Sequence, residues 1–533
     1  MTGVLEAAAR QLRSWPRSLV FWWLLVLAPV GGMGVLWALL DTGALHKMPV
    51  ALCDQDHSAL SRQVARWIDA TPSMRVTRVV TSPDEGEALL RSGKVYALIL
   101  IPRDFERDVL RRRPVRPIAF LEGQHMVAAG VLSRDLTELG LSLWRELDTD
   151  LRERMGVPAA SALRQASTVG LDLRPIANPG TNYRPFLLPG VLASLLQLTL
   201  SIMTVAALHR LARTDGPVRG VWREVAGTLL PPVLWTWMLG CGLTGLLILH
   251  GDLSLRGNFG LLVAAWLVFS LASAALGLLI FGLTENFIQS LSVVSAFSSP
   301  AFAFAGLTFP LLSMPFFGRL WAMLLPVTHL LKIVVQGGQM GSPFSAQAMS
   351  FLSLGLLVRM WSAPGRPARA PRPSTPRFAR AGAPAGGPVM KTIFRAFVDE
   401  CQALLHSIAG LTVLVMGVLF YSVLYPQPYL HQAPQKLPLL VVDRDRTTTS
   451  RTLLRLLDST EGARVASVYS DAPSALADLR DGKGQAALII PDDFERNVLR
   501  GSPSVLPIYL DAGYLLPYRV IYKGIKLAAE KMG

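Results

Sequence analysis

SLVFWWLLVLAPVGGMGVLWALL, residues 18–40, decides the class of this chain. Its 23 residues carry no charge and are long enough to cross a hydrocarbon core that needs about 20. A cleaved leader has a shorter apolar region of roughly 7–15 residues, so the stretch reads as a retained membrane helix. Arg10, Arg13 and Arg17 precede it, which predicts a cytoplasmic N-terminus. Four more apolar runs follow at about 186–208, 229–249, 259–281 and 287–312. A sixth, 344–360, is short and holds Gln347 and several serines; a seventh, 408–425, is clear.

The basic residues sit beside these runs. Arg210, Arg213, Arg219 and Arg223 lie between the second and third. Arg366, Arg369, Arg372, Arg377 and Arg380 follow the sixth in a stretch with no acid. Both loops are expected in the cytoplasm, which puts 41–185 and 426–533 outside, provided the sixth run spans. The net charge of +15 over 533 residues is therefore a matter of membrane topology, and no recognition motif points to nucleic acid. Cys53, Cys241 and Cys401 lie too far apart for a metal site or a disulfide framework and read as small apolar fillers.

The chain repeats itself. IPRDFERDVLR at 101–111 returns as IPDDFERNVLR at 490–500. With Met1 laid on Met390 and no gap, Asp54 falls on Asp443, Asp56 on Asp445, Ser61-Arg62 on Ser450-Arg451, Gly93-Lys94 on Gly482-Lys483 and Pro114 on Pro503. This is a duplication. Between the copies, residues 362–389 are rich in Pro, Arg, Ala and Gly and cannot pack a core. They are either a flexible cytoplasmic linker between fused units or the seam of two adjacent genes joined.

Within the first copy, segment 49–121 alternates strand and helix patterns. PVALCD, MRVTRVV, VYALILI and RPIAFLE read as strands; 58–70, 83–92 and 103–111 read as helices. The result is an α/β domain with a partly parallel sheet. Residues 126–175 read as mostly helical. Asp54-Gln55-Asp56 has the form of an Asp-x-Asp metal or nucleotide-sugar site, but it ends a strand before a helix, where Asp and Ser cap. Pro102 and Asp104 likewise mark a helix start, after which Phe105, Val109 and Leu110 are expected to face the sheet.

Enzyme signatures are missing. Gly93-Lys94 is followed by Val and Gly482-Lys483 by Gly, so neither is a phosphate loop. QGGQ at 336–339 reads as a Gly-rich turn. No Asp or Glu lies inside an apolar run, which argues against a proton relay. If the chain pumps, its energy comes from a partner.

One helix, a large exterior domain and then five helices resemble the permease subunit of ABC type-2 exporters with a large loop after the first helix. VALCDQDHSALSR and ALILIPRDFERDVLR look like that branch's exterior domain, and GTNYRPFLLPGVLA (180–193) like its entry into the second span. GLTFPLLSMP (306–315) and LLPVTHLLKIVVQGG (324–338) look like the block after the fifth span, with Gly306, Phe309, Pro310, Met314 and Pro315 as its marks. The resemblance implies a transporter subunit, not itself an enzyme and with no cofactor or metal, driven by a cytoplasmic ABC ATPase. It implies pairing with a second permease copy, in some members a periplasmic adaptor protein, and drugs, lipids or other amphiphiles as cargo. The loop with Arg210, Arg213, Asp215, Arg219, Arg223 and Glu224 corresponds to the ATPase-coupling loop; anchoring by positive charge alone explains it equally well.

The expected fold is an α-helical polytopic protein of the bacterial plasma membrane with extracytoplasmic α/β domains and about 6 + 1 transmembrane helices. Its parts are a cytoplasmic N-terminus (1–17), a first helix (18–40), an exterior domain (41–185) and a five-helix permease domain (186–360). A linker (361–389), a second first-helix (390–425) and a second exterior domain (426–533) follow. Two other readings are open: a membrane-anchored receptor without transport, and a proton-driven efflux pump of the resistance-nodulation-division class, whose exterior domains are larger.

Overall fold

A computed structural model of the chain describes residues 2–40, 47–111, 117–121, 169–176, 183–213, 221–311, 314–362 and 434–532, less a few single positions, and scattered positions elsewhere. The 362–389 stretch and the seventh apolar run lie outside the described residues, apart from position 362 and isolated positions of that run.

Helix α1 (Thr2–Ser14) is amphipathic and leads into α2, which joins Leu19–Trp22, a wide π-type segment Trp23–Gly31 and Gly32–Leu39. Pro29 sits inside the wide segment. A proline has no N–H for the usual bond and crowds the preceding turn, and a locally wider helix absorbs both effects.

The first α/β domain follows the sequence pattern closely. Its elements are β1 (Met48–Asp54), α3 (Ala59–Ala70), β2 (Met74–Val80), α4 (Pro83–Arg91), β3 (Ala97–Ile101), α5 (Phe105–Leu110) and β4 (Ile118–Leu121). The sheet order is β2-β1-β3-β4, with β1 parallel to β2 and β3 and with β4 antiparallel to β3. Strand β1 is central and buried on both faces, as a near-continuous apolar strand must be. Phe105 and Val109 are buried, whereas Leu110 is half exposed, contrary to expectation. Residues four apart share a helix face; the next residue turns away by about 100°.

The Asp-x-Asp pair also departs from the simple cap expected. Ser58 caps α3 through the Ser61 N–H. Asp54 accepts the N–H groups of Asp56 and His57 and the Ser61 hydroxyl, which shapes the turn. Asp56 reaches fifty residues along the chain and accepts the Glu106 N–H at 3.1 Å, at the start of α5. Burial pulls its carboxyl upward, but hydrogen bonds from Ser58 and from the backbone N–H groups of Glu106, Phe105 and Asp104 outweigh this and hold it below the usual carboxylate range.

The membrane part consists of α6 (Tyr183–Ala212), α7 (Val221–Leu249), α8 (Phe259–Thr284), α9 (Phe287–Ser298), α10 (Ala301–Phe304), α11 (Phe316–Leu324), α12 (Pro326–Lys332, continued by a π-type segment Ile333–Gln339) and α13 (Phe344–Ser362). Among the described residues, four helices are long and apolar enough to cross a bilayer: Arg184–Ala212, Trp222–Leu249, Phe259–Thr284 and Phe287–Phe304. The fifth run therefore ends near Phe304, not at 312; Pro300 interrupts it and Gly306 turns the chain at φ +84°. Beyond it lies an element absent from the sequence reading. Helices α11 and α12 meet at an 85° bend, with Leu325 extended between them and Pro326 opening the second. The marginal sixth run forms a helix of 19 residues. Its Trp361 meets Phe297, about three turns into α9.

The helices pack through small residues and polar stitches. A Cβ on Gly240 of α7 would lie 2.4 Å from the Trp266 ring of α8, and one on Gly277 of α8 would lie 2.7 Å from the Ser201 carbonyl of α6. Such close approach is how helices associate where water supplies no driving force. The Ser201 hydroxyl donates to the Ser273 carbonyl, Trp235 Nε1 to Leu25 and Trp237 Nε1 to Val263, joining α6, α7, α8 and α2.

The second α/β domain repeats the first: β6 (Leu437–Asp443), α14 (Thr448–Ser459), β7 (Ala463–Tyr469), α15 (Ala472–Arg480), β8 (Ala486–Ile490), α16 (Phe494–Leu499) and β9 (Ser504–Leu510), then α17 (Leu515–Glu530). Asp443 holds Arg446 N–H and the Ser450 hydroxyl, and Asp445 accepts the Glu495 N–H at 3.0 Å, matching Asp54 and Asp56. Its sheet has five strands, because Val169–Pro175 of the first copy lies along β9. A strand there corrects the expected helix; most of 126–168 lies outside the described residues.

Replacing Asp56 by Ala leaves the start of α5 without its acceptor, a loss of about 1–2 kcal/mol. Amide hydrogen exchange in residues 105–110 of the purified chain should then speed up roughly 5–30-fold. Because the folded-state pKa lies below the unfolded one, the bond contributes fully above about pH 4 and is lost as acid protonates Asp56. Protection in the unsubstituted chain should fall on acidification toward the Asp56→Ala value.

Candidate functional site

Two regions of the membrane part carry chemistry. The first surrounds the bend between α11 and α12. A helix that starts inside a bundle exposes N–H groups with no partner within the helix. Gln197, fully buried on α6, meets this need: its carbonyl accepts the Val327 N–H at 3.1 Å, one residue after Pro326. Among the described residues its own Nε2 has no partner, nor has the buried Thr328 hydroxyl on α12.

The far end of α12 is equally polar and equally closed. Ile333 through Gln339 are all buried, so QGGQ is the end of a helix in the core and not a surface turn. Gly337 is needed there: a Cβ would fall 2.3 Å from Gln347 Oε1. Gln347 on α13 donates to the Ser342 carbonyl at 2.8 Å, and its Oε1 has no protein partner. The loop before α8 closes the same corner, with Arg256 and Gly257 N–H both donating to the Gly338 carbonyl. Gln197, Thr328, Gln336, Gln339 and Gln347 thus give an apolar bundle a set of buried uncharged hydrogen-bonding groups, and among the described residues those of Gln197, Thr328 and Gln347 each keep one unpaired atom. They can hold a polar head group, and they offer neither a nucleophile nor an acid–base pair.

The marks named from sequence frame this bend. Gly306 adopts positive φ, and a Cβ there would lie 2.7 Å from Leu311. Phe309, Pro310 and Met314 are buried, and Pro315 stands just before α11. They are scaffold for the bend; the buried glutamines were not singled out for function. The available signal was a lone polar residue in an apolar run, as in ASLLQLTLS around Gln197.

The second region is the basic end, where α1, the end of α6 and the start of α7 meet. The Arg210 guanidinium lies 4.7 Å from the Phe21 ring centroid. Arg213 and Arg223 are exposed. Glu224 stands in the first turn of α7, where a negative charge is favoured, and pairs with Arg10 of α1 at 2.5 Å. Gly227 lets α1 approach, since a Cβ there would lie 2.5 Å from the Val4 carbonyl. Asp215 and Arg219 lie outside the described residues. The structure thus sets Glu224 against Arg10 of α1, a helix that sequence reading used only as a charge marker, and Arg210 against Phe21 of α2.

Comparison with known proteins decides the family. The model of ABC-2 family transporter proteins matches residues 17–212 and 408–531, and that of ABC-2 type transporters matches 214–337. The chain belongs to the ABC-2 transporter family. It is a multi-pass membrane protein of the permease kind, which works with an ATPase subunit. The matches include Arg210, Arg223, Glu224 and the bend and run to within two residues of Gln339, while α1 lies before the first of them. Curated relatives include the probable multidrug ABC transporter permease YbhR of Escherichia coli K12 and its counterpart in strain O157:H7. Each is 21% identical over 321 residues, which cover 58% of this chain and 83% of the relative. No solved structure matches.

Changing Gln197 to Leu keeps the volume close but leaves the Val327 N–H buried and unpaired, at a cost of about 1–3 kcal/mol. The thermal unfolding midpoint of the detergent-purified chain should fall clearly. Arg10→Ala, which removes an exposed ion pair worth about 1 kcal/mol or less, should change it little.

Proposed function

We propose that the chain is the permease of an ABC-2 exporter and moves a drug, lipid or other amphiphile outward on ATP hydrolysed by a separate cytoplasmic subunit. The observation that carries this reading is the family match over a bundle whose one end is basic and whose helix α12 meets buried glutamines at both its ends. The printed name of the relatives, a probable multidrug permease, supports the class of cargo. Hydrolysis belongs to the partner.

In this reading α1, the loop between α6 and α7 and residues 361–389 face the cytoplasm of a bacterial inner membrane. Residues 41–185 and 426–533 form exterior domains, α2 and 186–360 make the membrane part, and 390–425 holds a second first-helix. Helix α13 spans, although its 19 residues give only about 28 Å. A second permease copy completes the path, and an adaptor protein can meet the exterior domains.

Coupling runs through Arg210, Arg213, Asp215, Arg219, Arg223 and Glu224. Mixed charge suits docking on a soluble subunit, and Glu224 passes displacement to α1 through Arg10. An uncharged head group would follow the glutamines from one end of α12 to the other while its apolar tail lies among the helices.

Reversing two charges, Arg219→Glu with Arg223→Glu, should abolish co-purification of the co-expressed ATPase subunit while membrane levels of the chain stay unchanged. Full co-purification by the double variant would remove this loop from the coupling path.

A further inference from the structure

The two copies of the α/β domain share a fold, yet they are used differently. The second domain touches the first copy at three separate places. Strand Val169–Pro175, which we label β5, runs parallel to β9 for its whole length, and the ladder continues where the Ile176 N–H donates to the Leu510 carbonyl. Arg174 on β5 donates to the Tyr509 hydroxyl at 2.8 Å and lies over the same ring. At the end of α15, the Arg480 carbonyl accepts the hydroxyl of Ser342, the buried residue between α12 and α13. Two residues on, Gly482 lies so close to the re-entrant segment that a Cβ would fall 2.1 Å from Gln336 Nε2. Finally, Tyr514, just before α17, packs against the main core of the membrane helices.

The first domain makes neither of the two contacts that can be compared. Gly93 holds the same place as Gly482 and the same left-handed backbone, φ +67° against +76°, but a Cβ there would meet nothing within 4 Å. Strand β4 is the counterpart of β9, and among the described residues no strand lies on its outer side. So the contacts are not a by-product of the fold. Among the described residues, one copy has an empty turn and an uncovered sheet edge; the other has both filled by residues of the first copy.

We infer that the second α/β domain is a tethered cap that seats on the re-entrant segment of the first membrane unit, with its Arg480–Lys483 turn against Gln336 and Ser342 and β5 as the strap. Strand addition supplies main-chain hydrogen bonds, and the turn supplies position. Residues 363–433 join the cap covalently to the first membrane unit, so its docking is intramolecular and modest contacts suffice to hold it. Glycine suits the turn on two counts: its backbone is left-handed at φ +76°, and it leaves room for the Gln336 amide.

The test uses the full chain in membranes, with its native cysteines replaced and a protease recognition sequence placed in the 363–389 stretch. Cysteines at Gln336→Cys and Gly482→Cys relieve the steric conflict and put two thiols within bridging reach. After mild oxidation and cleavage, the two fragments should stay joined on a non-reducing gel and separate on reduction. Ser342→Cys with Arg480→Cys, the two residues already joined by a hydrogen bond, should behave the same way and leaves Gly482 and Gln336 intact. Gln336→Cys with Asp492→Cys, an exposed position at the opposite end of β8 from the Arg480–Lys483 turn, should give free fragments. Free fragments from both contact pairs, or equal joining by the Asp492 pair, would overturn the cap. The bridge reads proximity alone, so it stands or falls separately from the export reading.

Discussion

A backbone N–H that enters an apolar bundle must bring or find an acceptor, and the bend at Leu325–Pro326 depends on that constraint. Lipid offers no water to satisfy the first turn of a helix. Pro326 removes one of the orphan donors by having no N–H, and the Gln197 carbonyl takes the next. Once α12 can start inside the protein, its far end can bury two glycines and two glutamines against Gln347 and the loop before α8. The polar lining is thus a consequence of how the break is paid for in hydrogen bonds. It leaves Gln197 Nε2, Thr328 Oγ1 and Gln347 Oε1 with capacity for something else.

A second constraint explains why the chain repeats one phrase. Asp56 reaches the start of α5 and Asp445 the start of α16, each across fifty residues and each to the N–H of the glutamate in the repeated DFER. The Asp-x-Asp and the DFER are two halves of one bond, so they recur together. This gives the motif a structural role in both copies. What differs is the outside of the two domains: a β9 edge covered by β5, and a β4 edge with no such neighbour among the described residues.

Much of this was legible in the sequence wherever the signal was local. The first four strands and three helices of each α/β domain follow from alternation, caps and glycine turns, and the long apolar runs mark their helices. The failures share a cause, which is that the deciding contact is distant. An apolar stretch looks the same whether it crosses straight or bends by 85°, and only Gln197, more than a hundred residues away, makes the bend tenable. Strand β5 is stabilised by β9, over three hundred residues later, and no local pattern announces that partner. QGGQ has turn composition, yet burial against Gln347 and Gly257 makes it a helix end. Arg210 and Glu224 were visible as charge, but the pairing of Glu224 with Arg10 of α1 and the seat of Arg210 on Phe21 were not.

The account stands on the two ends of the bundle facing opposite sides of the membrane, with the basic end inside and the α/β domains outside. Labelling by a membrane-impermeant maleimide tests this directly, in chains whose native cysteines are replaced and which carry one new thiol at an exposed position, Ser92→Cys in the first α/β domain or Arg13→Cys on α1. In intact cells, Ser92→Cys should be labelled and Arg13→Cys spared; in inverted membrane vesicles the pattern should reverse. Labelling of both positions from the same side, or of Arg13→Cys alone in intact cells, would contradict the account.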